Sequence, residues 1–177
     1  MARRLFVFDA PDRFVAGTVG EPGGRSFYLQ ARKGAAVVSV SLEKTQVAVL
    51  ADWLGDLLDT IEPVAPAAVG ANDRKPLDEP VVEVFRVGAM ALAWDPANAS
   101  VVVEAQPLGD AVEYHEVPDD DPDGPDVLRV RISAVEARAF VDRSLALVGA
   151  GRPSCPFCGM PLEPTGHYCT NARGRLN

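Results

Sequence analysis

Apolar and polar residues alternate in three short runs near the start of the chain. Phe14–Val19, Ser26–Ala31 and Ala36–Ser41 carry the two-residue period of strands that bury one face. Gly20-Glu21-Pro22-Gly23-Gly24, between the first two runs, is turn chemistry, and Arg32-Lys33-Gly34 makes the next tight turn. The period then changes. Val47, Leu50, Leu54, Leu57, Leu58 and Ile61 recur at three- and four-residue spacing, while Lys44, Asp52, Asp56 and Asp59 fall elsewhere around the wheel, which predicts an amphipathic helix. Ser41 is its expected N-cap and Pro63 its stop.

The same order then returns. Residues 62–80 contain four prolines and no period, so they read as a loop. Val81–Ala93 and Ser100–Ala105 read as strands joined by Asp95-Pro96-Ala97-Asn98, and Val127–Ser133 as a third strand reached through an acidic loop around Pro118–Asp126. Ser133-Ala134-Val135-Glu136 is a capping box. Behind it Ala137, Phe140, Val141, Leu145 and Val148 line one face of a second helix, which Gly149 and Gly151 end. Phe14-Val15-Ala16-Gly17 and Phe85-Arg86-Val87-Gly88 occupy matching places in the two rounds.

The expected fold class is therefore α+β: duplicated βββα units packed into one domain, with a small C-terminal zinc-knuckle tail. The halves are about 5–62 and 81–150, joined by a linker over 63–80, so the domain spans 1–152 and the tail 153–177. Neither half alone would bury its helix and its sheet face well; two halves sharing one sheet system would.

Composition narrows the setting. With 47% apolar and 24% charged residues, the chain has the make-up of an ordinary globular protein. No apolar run approaches the roughly 18–20 residues that cross a bilayer, so no membrane association is expected. The stretch Leu5–Phe8 behind Arg3 and Arg4 is too short for a signal-peptide core, and a cytoplasmic location is expected. Only three of the seventeen basic residues are lysines, and Ala, Val, Pro and Asp abound, a mark of a GC-rich bacterial genome. The net charge of −8 is distributed unevenly: +3 over residues 1–40, −15 over 41–128 and +4 over 129–177. That negative middle segment opposes general nucleic-acid binding, although Arg3, Arg4, Arg25, Arg32 and Lys33 could form a local patch with the basic tail.

The chemistry concentrates at the end. Cys155-Pro-Phe-Cys158-Gly is a zinc knuckle, and His167-Tyr-Cys169 supplies two further ligands, so Cys155, Cys158, His167 and Cys169 make a closed structural Zn2+ site. All three cysteines of the chain are used there. A redox Cys-x-x-Cys normally sits between a strand and a helix, whereas this one follows a helix and Gly-Arg-Pro. An extracellular disulfide framework wants an even cysteine count and a secretory signal. His115, between Tyr114 and Glu116, is expected to be solvated. The run Asp119–Asp123 lacks the Gly and Glu of a calcium-binding loop and is expected to be solvated too. Gly17–Gly24 precedes a strand, so it is not expected to cradle phosphate. No catalytic set is visible, and the chain reads as a non-enzyme more readily than as an enzyme.

Four blocks stand in order: Phe14–Gly20, Gly24–Ala31, Ser41–Val47 and the Cys-Pro-x-Cys-Gly-x-Pro tail. Together they resemble an actinobacterial family known as a domain of unknown function, also labelled a repeat protein. The resemblance spans nearly the whole chain and brings no established activity. Members of that family tend to be encoded beside a histidine-phosphatase-like and a lipid-kinase-like protein, which implies a shared pathway. The extreme tail departs from the pattern: Thr170–Arg175 stands where a proline and then Gly-Tyr belong. Gly24–Ile61 is also similar to one repeat of the PUR single-strand nucleic-acid-binding fold. The functional expectation is a non-catalytic cytoplasmic adaptor with a structural zinc site and an unidentified protein partner. The alternative is a single-stranded nucleic-acid-binding protein of PUR-like architecture, which the net charge disfavours.

Overall fold

In a computed structural model, residues 2–21, 23–61, 73–109, 113–151, 155–159, 162, 167–169 and 174–176 are described. Pro63, the expected helix stop, lies outside them, as do residues 62–72 of the expected linker. The first three alternating runs form β2 (Arg13–Val19), β3 (Ser26–Lys33) and β4 (Ala36–Leu42), an antiparallel meander. Its second turn places Gly34 at φ 58°, a left-handed conformation that glycine tolerates best, and Asp12 Oδ2 accepts the Gly34 N–H at 2.7 Å. Helix α1 (Lys44–Ile61) follows, then a second meander of β5 (Glu83–Asp95), β6 (Ser100–Pro107) and β7 (Val127–Ser133), and then α2 (Ala134–Gly149). A short hairpin, β8 (His167–Cys169) with β9 (Gly174–Leu176), lies at the end.

One strand was not expected. Leu5–Asp9 forms β1, which pairs in parallel with β7, from Leu5 opposite Val127 to Asp9 opposite Arg131. Its four apolar residues give little local signal, and its partner lies about 120 positions away. The resulting seven-stranded sheet runs β1-β7-β6-β5-β4-β3-β2, with the two meanders joined by a parallel β4–β5 contact.

The order forces the sheet to curl. β1 and β2 are its opposite edges, six strand spacings apart, which in a flat sheet is about 29 Å. The link from Asp9 to Arg13 reaches at most about 14 Å. The edges therefore approach each other, and the link is fixed at both ends: Ala10 N–H donates to Arg131 C=O of β7 at 3.0 Å, and Asp12 N–H to Arg32 C=O of β3 at 2.8 Å.

Both helices lie against one face of this curl. α2 packs on β2, the first strand of the first meander, and α1 packs on β5, the first strand of the second. Val47, Leu50, Leu54 and Leu58 of α1 are fully buried, each worth roughly 1.5–3 kcal/mol of apolar burial. In α2 the buried stripe is Ala134, Ala137, Phe140, Val141 and Ser144. Phe140 stacks on Phe14 with ring centroids 4.8 Å apart. Leu145, expected on this stripe, is 47% exposed, because it falls about 80° around the wheel from Ala137.

The helix starts also differ from each other. Ser133 caps α2 in the full reciprocal box with Glu136. Ser41 does not cap α1. It lies within β4, and α1 begins at Lys44 with Glu43 ahead of it, whose N–H donates to Gln46 Oε1 at 2.8 Å. The register of β4 carries Ser41 into the sheet, opposite Tyr28 and Arg86, so the helix starts two residues later than a cap at Ser41 predicts.

A chain segment crosses the outer face of the sheet, and a glycine marks where: a Cβ on Gly17 would lie 2.4 Å from Leu77. Residues 73–78, read from sequence as part of a linker, are thus a strap over β2–β4, with Leu77 only 5% exposed. Gly88 has a different reason, a bulge in the β5–β6 ladder where Leu108 N–H donates to Arg86 C=O at 2.9 Å and a Cβ would lie 2.5 Å from the Leu108 backbone.

Candidate metal centre and the outer-face cavity

Cys155 follows the end of α2 and opens a tight turn. Gly159 at φ 74° donates its N–H to Cys155 C=O at 2.9 Å, and the Phe157 N–H points at Cys155 Sγ at 3.5 Å. This is the knuckle geometry that folds two thiols toward one point. Cys169 comes from β8, and the ligand atoms of Cys155, Cys158 and Cys169 lie within 4.8 Å of one another. Cys155 and Cys169 are buried, and none of the three is joined in a disulfide.

A tetrahedral zinc with Zn–S bonds of about 2.3 Å requires sulfurs about 3.8 Å apart. The Cys155–Cys169 separation is 3.8 Å. Three soft sulfur donors within 4.8 Å of one another suit Zn2+ or another thiophilic ion far better than a hard, oxygen-seeking one. Burial pushes the Cys155 thiol up, but the N–H groups of Phe157 and Cys158 and the neighbouring thiols outweigh it, leaving its pKa below the ordinary value. The fourth expected ligand, the side chain of His167, lies outside the described residues; its backbone belongs to β8.

A second constellation was not foreseen. A cavity of about 650 Å³ opens on the outer face of β5–β7, floored by Ala91, Ala93 and Val102 and roofed by residues 114–119. Across it runs a chain of polar contacts. Tyr114 Oη donates to Glu104, Arg129 donates through Nε to the other Glu104 oxygen, and Arg129 reaches both oxygens of Asp119 at 2.7 and 2.9 Å. Arg129 holds the Asp119 carboxyl below its usual range. Burial and the Glu104 carboxylate raise the Tyr114 phenol. Asp119, expected to be solvated, is therefore an anchor for the roof. The pairing links residues 10 to 25 positions apart, so only its charge imbalance was visible in sequence. His115 is exposed, as expected; its backbone is gripped by the Gln106 amide at 2.7 and 3.2 Å.

The basic residues proposed from sequence for nucleic-acid contact have internal partners. Arg3 donates to the carbonyls of Pro118 and Pro125, Arg4 to Asp126, Arg25 to Leu147 C=O, and Lys33 to Asp9 C=O, while Arg32 pairs with Asp78 at 3.1 Å. No helix among the described residues is long and apolar enough to cross a membrane.

Fold and site together define an α+β protein that carries a cluster of three thiols, able to hold a metal, behind its last sheet-packed helix. The chain belongs to the family described as a protein of unknown function (DUF3090), whose family model matches residues 6–169 and so takes in both the sheet and the cysteine cluster. No curated protein and no solved structure matches it.

Proposed function

We propose that the chain is a non-catalytic cytoplasmic interaction module, whose C-terminal segment is shaped by one structural Zn2+ held by Cys155, Cys158, His167 and Cys169. The convergence of three sulfurs within 4.8 Å, one pair of them at a tetrahedral edge length, carries this reading. His167 completes the set because His-x-Cys places an imidazole two residues from Cys169. The metal gives a short segment with little core of its own a fixed surface. Phe157, 56% exposed beside the knuckle, is the natural contact for a protein partner.

Architecture supports a duplicated origin for the rest. Each meander feeds a helix that reaches the first strand of the other, α2 packing on β6 and β7 of its own as well, and each uses a buried glutamine to hold a crossing loop by its backbone. Two copies that share their helices across one sheet bury what one copy could not.

Elemental analysis of anaerobically purified protein tests the metal: about one zinc per chain is expected. Cys158→Ser should lose it while the seven-stranded sheet stays folded by circular dichroism. Zinc-free wild-type protein would end the structural-metal reading. Partner capture from the native host should fail with Phe157→Ser; equal recovery by that variant and the wild type removes the knuckle as the contact.

A further inference from the structure

We propose that the cavity where β4 runs into α1 is a binding site for a small phosphate monoester. The cavity measures about 370 Å³ and is lined by Arg25, Ser26, Tyr28, Ser41, Lys44 and Arg86, with Glu43 and Glu83 at its edge. It uses no residue of the cysteine cluster and stands whether or not a metal binds there.

Three features converge on an anion. First, Tyr28, Ser41 and Arg86 form a row across three strands, each directly opposite the next in the sheet register. Second, α1 starts at this cavity without an acidic residue in its first turn. Glu43 C=O accepts the N–H groups of Gln46 and Val47 at 3.0 and 3.1 Å, while helix geometry leaves those of Lys44 and Thr45 without intrahelical acceptors. Third, the Ser41 side-chain oxygen is buried, its residue only 8% exposed, with no hydrogen-bond partner among the described residues. An orphaned buried hydroxyl is a cost that a folded protein rarely keeps unless something pairs with it in the working state.

The charge balance agrees. Arg25, Lys44 and Arg86 face two carboxylates, so the cavity is net positive in a chain whose net charge is −8. Arg86 is tied to Glu43, but Lys44 makes no ion pair among the described residues, and Arg25 spends one donor on Leu147 C=O at 3.3 Å. Donors arrive from the helix end, from two hydroxyls and from two cations. That is more than a carboxylate's two oxygens can use and suits a phosphoryl group. The volume exceeds what inorganic phosphate fills, leaving room for the ester's body.

Titration of the full-length protein at low ionic strength, followed by calorimetry and by amide shifts, tests this with inorganic phosphate, glucose 6-phosphate and glucose. The expected result is saturable binding of both phosphates but not of glucose, with the largest shifts at Lys44 and Thr45. Lys44→Gln, an exposed substitution, should weaken binding about 10-fold or more. Ser41→Ala should weaken it about 3- to 10-fold while leaving the melting temperature unchanged or higher, a pairing of effects that a purely structural serine would not give. Tighter binding of glucose 6-phosphate than of inorganic phosphate identifies an ester as the ligand; equal or weaker binding identifies free phosphate and overturns the ester assignment. No saturation below about 10 mM, shifts confined to other surfaces, or wild-type affinity in both variants would overturn the site itself.

Discussion

Replacing Gln30 with leucine isolates what holds the strap on the outer face. Gln30 is 1% exposed, and its amide is fully used: Nε2 donates to Asp78 C=O and to Ser39 Oγ, both at 3.0 Å, and Oε1 accepts the Asp78 N–H at 2.8 Å. Leucine keeps similar bulk and removes every bond. Two backbone groups of Asp78 then face an apolar side chain, at about 1–3 kcal/mol each when buried. Asp78 is half-buried, so water repays part of that. The strap has one escape, which is to peel away, and this exposes Leu77 at a cost of roughly 1.5–3 kcal/mol. Either route predicts a loss of about 2–4 kcal/mol, or about 4–16 °C in melting temperature for a chain of this size. Urea denaturation gives the first quantity, and hydrogen exchange at the Asp78 amide reports the strap directly. A loss below about 0.5 kcal/mol with unchanged Asp78 protection would refute the claim that this amide holds the strap.

Phe140→Ala should cost about 3–5 kcal/mol in chemical denaturation, since it removes a buried ring stacked on Phe14. Asp73 is held below its ordinary pKa chiefly by its bond to Arg13. Its stabilising contribution is therefore present above the unfolded value of about 3.9 and lost as pH falls through the depressed one. Urea midpoints measured between neutral and acid pH should fall less steeply for Asp73→Asn than for the wild type. Arg129→Met leaves Glu104 and Asp119 facing each other without a counter-charge and should destabilise by about 3 kcal/mol or more. The double variant with Glu104→Met should recover much of that loss in the same assay.

How much the sequence revealed depended on how local each signal was. Six strands and both helices are periodic over their own length, and their positions were readable to within about two residues. The Ser133 box was readable because cap and partner are three residues apart. The cysteine cluster was readable through its Cys-x-x-Cys and His-x-Cys spacing. β1 was not, because a four-residue apolar stretch becomes a strand only through β7. The strap was not either: residues 73–78 have no period, and Leu77 gives no hint that Gly17 is bare in order to receive it. Ser41 misled as a cap because its side chain belongs to a row that exists only once three strands lie side by side.

The uneven charge along the chain has a structural meaning that its sum conceals. The acidic middle segment does not simply face solvent. Arg13 is nine-tenths buried against Asp73, Arg143 reaches the strap backbone at Asp73 and Lys75, and Arg138 meets Asp59 at 2.9 Å. Arg4 takes Asp126, and Arg129 takes Glu104 and Asp119. In most of these contacts a cation from one of the basic ends of the sequence meets a carboxylate or carbonyl from the middle. Exposed pairs of this kind contribute little to stability, about 0–1 kcal/mol each. Their value lies in selectivity, because a crossing loop placed on the wrong strands would leave half-buried charges unpaired. Both outer-face roofs are tied in this way, the strap by Arg13 and Arg143 and the loop over β6 and β7 by Arg129 and Arg3. Arginine suits that task better than lysine, since its fork can hold a carboxylate and a carbonyl at once. The excess of arginine, read from sequence as a mark of genome composition, is thus also what fastens the two crossings to the sheet.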